Sequence, residues 1–173
     1  MNNLNFGWVK GDTVNIGVGQ GYMSATPIQL AYYAALLANK GTLNEFSFVQ
    51  DGEAASKSTL IATNINDNDW DKIHRSMIGV IESPKGTAKR LRQLGDFTIA
   101  AKSGTVELVS TETKEDYKII REVEEKRDHA IIIAFGPMPN PKYAVSVVIE
   151  NGESGGSVAG PVAIAILNNL LEE

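Results

Sequence analysis

The sequence predicts an α+β fold, an antiparallel sheet packed against helices. Apolar residues recur at helical spacing through the first half of the chain. From about residue 97 the period shortens to that of strands, and a helical stripe returns only at the end, an order unlike alternating β-α-β units. Two apolar runs flank the turn Pro137-Met138-Pro139-Asn140-Pro141, which marks an antiparallel hairpin. The chain has 173 residues, 43% hydrophobic and 21% charged. That is enough for one domain, or part of a larger one, to bury roughly 70% of its unfolded surface.

Residues 1–25 are rich in Gly and Asn, with one alternating run, Thr13-Val14-Asn15-Ile16-Gly17-Val18. A helix follows over residues 27–38. Thr26 is its N-cap, Pro27 its first residue, Gln29 completes a capping box, and Lys40-Gly41 close it. It is apolar almost all round over 28–38, which predicts burial. Residues 42–66 are polar and irregular, with an extended stretch near Phe46 to Val49. A second helix is expected over 69–82, capped by Asn68, with Trp70, Ile73, Met77 and Val80 on one face. Ser83-Pro84-Lys85-Gly86 ends it, and a short helix is expected over 87–94. Residues 97–108 then read as a strand, and residues 110–128 as a charge-dense insertion, a solvated loop or exposed helix. The run from His129 to Phe135 is apolar throughout, as in a strand buried on both faces. Tyr143, Val145, Val147 and Ile149 line one face of the next strand. A glycine-rich loop, 151–156, leads to a last helix over roughly 158–171, striped by Ala163, Ile166, Leu167, Leu170 and Leu171. The expected sheet is therefore three antiparallel strands, 97–105, 129–136 and 143–150.

Composition narrows the function. Sixteen Lys and Arg against 21 Asp and Glu leave a net charge of −5, which argues against nucleic-acid binding. The absence of cysteine excludes disulfides, thiolate zinc sites and Cys nucleophiles. His74 and His129 are the only histidines, so a His-rich metal site is not expected, and no cofactor is implied. No apolar run approaches the roughly 18 residues of a membrane span, and the first residues lack the pattern of a signal peptide.

The sharpest chemical signal is Lys102-Ser103-Gly104-Thr105 on an expected strand. A Lys-[Ser/Thr]-Gly triplet is one motif of serine acyl-transferases that act on β-lactams and D-alanyl peptides. The lysine supplies positive charge beside a carboxylate-bearing substrate. The Ser and Thr hydroxyls can hydrogen-bond that carboxylate, and glycine lets substrate approach the strand. By itself the triplet does not separate such a site from an exposed strand without a role.

Its context does. The segments Asp12 to Tyr22 and Ala25 to Ala31, then Ala100-Ala101-Lys102-Ser103-Gly104-Thr105, resemble class B penicillin-binding proteins. So do Arg127-Asp128-His129-Ala130, Ala134-Phe135-Gly136-Pro137 and Val148-Ile149-Glu150-Asn151-Gly152, and Gly155-Gly156-Ser157 through Pro161. The blocks occur in family order, and the Arg-Asp-His-Ala and Glu-Asn-Gly blocks point to the elongation-type branch, penicillin-binding protein 2. The departure is Val106-Glu107, where that branch often has Ala-Gln.

The resemblance implies a partial penicillin-binding/β-lactamase-like fold in which residues 1–173 form the C-terminal portion of the transpeptidase domain. No serine of this chain is followed by Lys three residues on or by Asn two residues on. The family's Ser-x-x-Lys and Ser-x-Asn motifs lie upstream of the Gly-Gln-Gly block, so the nucleophile is expected outside this chain, which alone should be inactive. By carry-over, Lys102 and Thr105 serve catalysis. Ser103, Gly104 and Thr105 bind substrate, with the Thr105 N–H as half of an oxyanion hole. The implied substrates are peptidoglycan stem peptides and β-lactams, and the implied partner is a glycan polymerase of the elongation machinery. The implied place is the periplasm, on an inner-membrane anchor outside this chain. With one cleft wall missing, the triplet strand and the 28–38 helix should be open to solvent.

Other signals have plainer readings. Gly17-Val18-Gly19-Gln20-Gly21 precedes a helix but lacks the third glycine of a dinucleotide loop. The 152–157 loop has no lysine and is not a phosphate loop. His129 is expected to be structural, and Tyr32, Tyr33 and Trp70 to be core. The 110–128 insertion is expected on the surface, or else as a wall of the cleft. Two further classes stay open at this point: a non-catalytic partner- or peptide-binding module, and a nucleotide-binding domain.

Overall fold

The computed structural model describes residues 7–21, 23–44, 58–61, 64–108 and 113–172. Its helices are α1 (Lys10–Gly17), α2 (Pro27–Ala38), α3 (Asp67–Glu82), α4 (Lys114–Ile120) and α5 (Gly160–Glu172). Its strands are β1 (Thr42–Asn44), β2 (Ser58–Leu60), β3 (Ala100–Val106), β4 (His129–Gly136) and β5 (Tyr143–Ile149). Short 3-10 turns lie at Lys89–Gln93 and Glu124–Lys126, and a π-helical turn at Gly155–Ala159 leads into α5.

The main sheet has the order β3-β4-β5, antiparallel throughout. Its register sets Lys102 opposite Ile133, Ser103 opposite Ile132, Gly104 opposite Ile131 and Thr105 opposite Ala130. Because side chains alternate along a strand, the sheet feeds two cores. Ala101, Ala130, Ile132 and Ala134 join Leu91 and the α5 residues Ala163, Ile164 and Leu167. Ala100, Ile133 and Phe135 face Ala34, Leu37, Trp70 and Met77 of α2 and α3. Each fully buried Ile, Leu or Phe contributes about 1.5–3 kcal/mol, so these two layers hold β3 in place. The interior His74 joins α3 to α2: its Nε2 donates to the Leu37 carbonyl at 2.8 Å, and its ring lies 5.5 Å from that of Phe135.

The α+β architecture and the three-stranded antiparallel sheet match the sequence reading, and several details correct it. Thr13 to Gly17 of the alternating run belong to α1, with Val18 as its C-cap, and the helix buries none of its residues. The α2 cap is as expected: Thr26 Oγ1 accepts from the Gln29 N–H at 3.3 Å, and Gln29 Oε1 accepts from the Thr26 N–H at 2.8 Å. That helix is buried on one side and open on the other, with Ile28 46% and Tyr33 50% exposed, which agrees with the expected opening to solvent and corrects the placing of Tyr33 in the core. The N-cap of α3 is Asn66, not Asn68; its side chain accepts from the Asp69 N–H at 3.0 Å. Residues 42–44 and 58–60 pair as a small antiparallel sheet rather than staying irregular. The extended stretch expected at Phe46 to Val49 lies outside the described residues, as do Tyr22 and residues 110–112 of the insertion. The rest of that insertion contains α4 and a 3-10 turn.

Candidate active site

Strand β3 begins fully buried at Ala100 and Ala101, then emerges at Lys102, which is exposed. Among the described residues β3 pairs only with β4, so its other edge is free. Alternation sets Lys102 on the α2–α3 side and Ser103 and Thr105 on the α5 side. The Lys102 Nζ donates to the Ser103 carbonyl at 2.6 Å. No carboxylate among the described residues lies within ion-pair distance of it. Ser103 Oγ is 2.8 Å from Thr87 Oγ1. Thr105 Oγ1 donates to the Glu153 carbonyl at 3.3 Å. The triplet therefore presents one cation and two hydroxyls on a fixed strand at a free edge, an arrangement suited to an anionic, peptide-like ligand.

The glycine that geometry demands is not the one in the triplet. A Cβ on Gly104 would meet nothing nearer than Ile131 Cβ at 3.7 Å, an ordinary contact. A Cβ on Gly155 would strike the Ile131 carbonyl and come within 2.5 Å of the Gly104 carbonyl. A Cβ on Gly156 would lie 2.7 Å from the Thr87 carbonyl. This glycine pair lets the π-helical turn wedge between β3 and the segment carrying Thr87. A cavity of about 250 Å³ opens beside that segment, lined by Thr87, Lys89, Arg90, Gly156 and Ser157 among others.

The described part of the insertion is docked beside the triplet. The Tyr117 hydroxyl donates to Asp128 Oδ2 at 2.6 Å, and Asp128 is only 3% exposed. The hydrogen bond to Asp128, followed by burial, raises the Tyr117 pKa above its ordinary value. Arg121 holds Glu153 with two bonds of 2.8 Å, Nε to Oε1 and Nη2 to Oε2. That pairing pulls the Glu153 carboxyl below, and pushes the Arg121 guanidinium above, their ordinary values. Arg127 lies 3.8 Å from the same carboxylate and donates to the Arg121 carbonyl. Glu153 stands at φ 62°, and its N–H donates to the Asp128 carbonyl at 2.8 Å. A chain of contacts thus runs from Tyr117 and Arg121 through Glu153 to Thr105. The described part of the insertion is an exposed helix and turn, as the sequence allows, and its contacts to Asp128 and Glu153 buttress the end of the triplet strand.

His129 Nδ1 accepts from the Asn151 N–H at 3.0 Å, the structural part expected of it. The N–H groups of Val18, Gly19 and Gln20 all donate to α1 carbonyls. The amides of Val18, Gly19 and Gln20 are thus spent on closing α1. Among the described residues no group of three or more acidic or His side chains could hold a metal ion. The sequence reading missed Thr87, Arg121, Glu153 and the steric need for Gly155. Only the adjacent glycines before α5 carried a local signal.

The penicillin binding protein transpeptidase domain model matches residues 2–168. The chain is 33% identical over 173 residues to the Haemophilus influenzae protein named Peptidoglycan D,D-transpeptidase MrdA, covering 96% of this chain and 27% of that one. A Pseudomonas aeruginosa PBP2 crystal structure superposes with a TM-score of 0.78 at 35% identity, over 96% of this chain and 35% of that one. A Helicobacter pylori complex of PBP2 with MreC also gives 0.78, at 29% identity over 98% and 29% of the two chains. The chain thus spans about a quarter of the length of the curated relative it matches.

Proposed function

The chain belongs to the penicillin-binding protein transpeptidase family, and from that premise we propose that it forms the C-terminal portion of the catalytic domain of an elongation-type peptidoglycan D,D-transpeptidase. What supports this is the Lys102-Ser103-Gly104-Thr105 strand: a cation with no described carboxylate partner and two same-face hydroxyls, on a sheet edge that no described strand pairs with, inside a match that runs nearly the length of the chain.

In this reading the parent enzyme joins stem peptides by acyl transfer. A serine from a Ser-x-x-Lys motif outside these residues attacks the carbonyl of the D-Ala-D-Ala bond. The serine oxygen bonds to the carbonyl carbon, and the terminal D-Ala leaves with a proton on its nitrogen. The amine of a second stem peptide then displaces the serine. Lys102 contributes positive charge near the nucleophile. The hydroxyls of Ser103 and Thr105 hold the substrate or β-lactam carboxylate, and Gly104 keeps the strand accessible. The Thr105 N–H is one oxyanion donor, and a donor of that kind is worth roughly 2.7–4 kcal/mol in the transition state. That cannot replace a nucleophile, so this chain does not turn over alone.

The same reading gives a periplasmic domain on a membrane anchor outside the described residues, whose own helices are not long and apolar enough to cross a membrane. It also gives two partners: a glycan polymerase of the elongation machinery, and a protein of the kind seen with the H. pylori relative. Intact mass after incubation with penicillin tests it. The full-length protein gains one covalent adduct and this chain gains none. A stoichiometric adduct on this chain, or none on the full-length protein, refutes the reading.

A further inference from the structure

We propose that Thr87 is a positioning residue for carboxylate recognition: its hydroxyl donates to Ser103 Oγ and so turns the single Ser103 proton toward the substrate. The inference rests on the transpeptidase reading above and adds a residue to it.

Each hydroxyl has one proton and two lone pairs. With Ser103 Oγ 2.8 Å from Thr87 Oγ1, one of the two donates. If Ser103 donates, its proton is used and an arriving carboxylate meets a lone pair. If Thr87 donates, the Ser103 proton is free. A carboxylate only accepts, so its arrival selects the second arrangement. The residues that share a cavity with Thr87 include no carboxylate, so none of them draws the Thr87 proton away from Ser103 as a charged acceptor would.

The position of Thr87 is held from both sides. The Gly86 N–H donates to the Ser83 carbonyl at 2.8 Å, and the Ala88 N–H to the Val80 carbonyl at 3.0 Å. Gly156 closes over the Thr87 carbonyl without room for a Cβ. As a β-branched residue Thr87 also has few χ1 choices. Thr105 has no such helper: its proton points at the Glu153 carbonyl, which accepts only. The two triplet hydroxyls are therefore not equivalent, and Ser103 is the one prepared to receive the carboxylate.

The test compares second-order acylation rates of the full-length enzyme with penicillin G and with its carboxyl methyl ester. Thr87→Val loses about tenfold with the acid, the scale of one hydrogen bond to a charged group, and little with the ester. Thr87→Ser restores the rate with the acid. In a Ser103→Ala background the valine change costs almost nothing more, because the two act as one unit. Equal losses on acid and ester, or additive losses in the double variant, overturn the proposal while the transpeptidase reading stands. If Thr87→Val disturbs folding, Thr87→Ala, which also lacks the hydroxyl, carries the same acid-to-ester comparison. A wild-type enzyme that neither compound acylates overturns both readings.

Discussion

Replacing Lys102 with alanine separates a lysine kept for chemistry from one kept for the fold. Among the described residues its ammonium donates only to the neighbouring Ser103 carbonyl, it is exposed, and no carboxylate pairs with it. Water replaces that bond in the variant, so the stability change stays within about 0.5 kcal/mol, as at ordinary surface sites. For a chain this long, 1 kcal/mol moves the melting temperature by about 2–4 °C, so the expected shift is no more than about 2 °C. Under the proposed role, the same change in the full-length enzyme removes positive charge near the nucleophile, a charge-assisted contribution on the scale of about 1.5–3 kcal/mol. That corresponds to a loss of about ten- to a hundredfold in acylation. Thermal unfolding by circular dichroism reads the first quantity, and stopped-flow acylation with a labelled penicillin reads the second. A fall of about 8 °C in this chain, or unchanged acylation in the full-length enzyme, would show that Lys102 is structural and refute the role carried over from the family.

Three further perturbations probe the buttress and the glycine wedge. Among the described residues, Tyr117→Phe leaves the Asp128 carboxylate, in a residue 3% exposed, with only the Leu108 N–H at 3.4 Å; the expected cost is about 2 kcal/mol, or about 4–8 °C in melting temperature, and an unchanged melting curve counts against the buttress. The Arg121 contact depresses the Glu153 pKa, so its stabilisation is present above the ordinary carboxylate pKa and is lost as pH falls through the lower folded value. Amide protection factors across residues 113–128 should therefore fall as pH drops below the ordinary carboxylate pKa of about 4.3, a fall that Glu153→Gln removes; the same pH response in the variant would locate the titration elsewhere. Gly155→Ala drives a methyl into the backbone of β3 and β4 and should cost about 1–3 kcal/mol, whereas Gly104→Ala should be nearly neutral for stability. The reverse order in melting temperatures would show that the wedge is misplaced.

Some of this was legible in the sequence because the deciding atoms lie within a few residues of one another. Thr26, Pro27 and Gln29 announce α2, since a cap is made between positions three apart. The Asn66 cap obeys the same rule, but Asn66 and Asn68 both precede an acidic first turn, and only the observed bond to the Asp69 N–H chooses between them. The alternation at 13–18 misleads because α1 buries nothing, so no packed face imposed helical spacing on its sequence. Residues 28–38 overstate their burial for a related reason: an all-round apolar helix shows how much can be covered, not what covers it.

By itself, the sequence determined the class of fold, the antiparallel order of the last three strands, the family, and Lys102, Ser103, Gly104 and Thr105 as the residues to inspect. Those follow from local periodicity, turn chemistry and a contiguous motif. Only the tertiary structure decided that Thr87 stands against Ser103, 16 residues away, and Arg121 against Glu153, 32 residues away. It also showed that the steric demand falls on Gly155 rather than Gly104. Such pairs have no fixed spacing to betray them. They exist because the sheet register and two packed cores bring separate loops to the same strand, and a hydrogen bond a few ångströms long depends on that register rather than on either residue's neighbours in the chain.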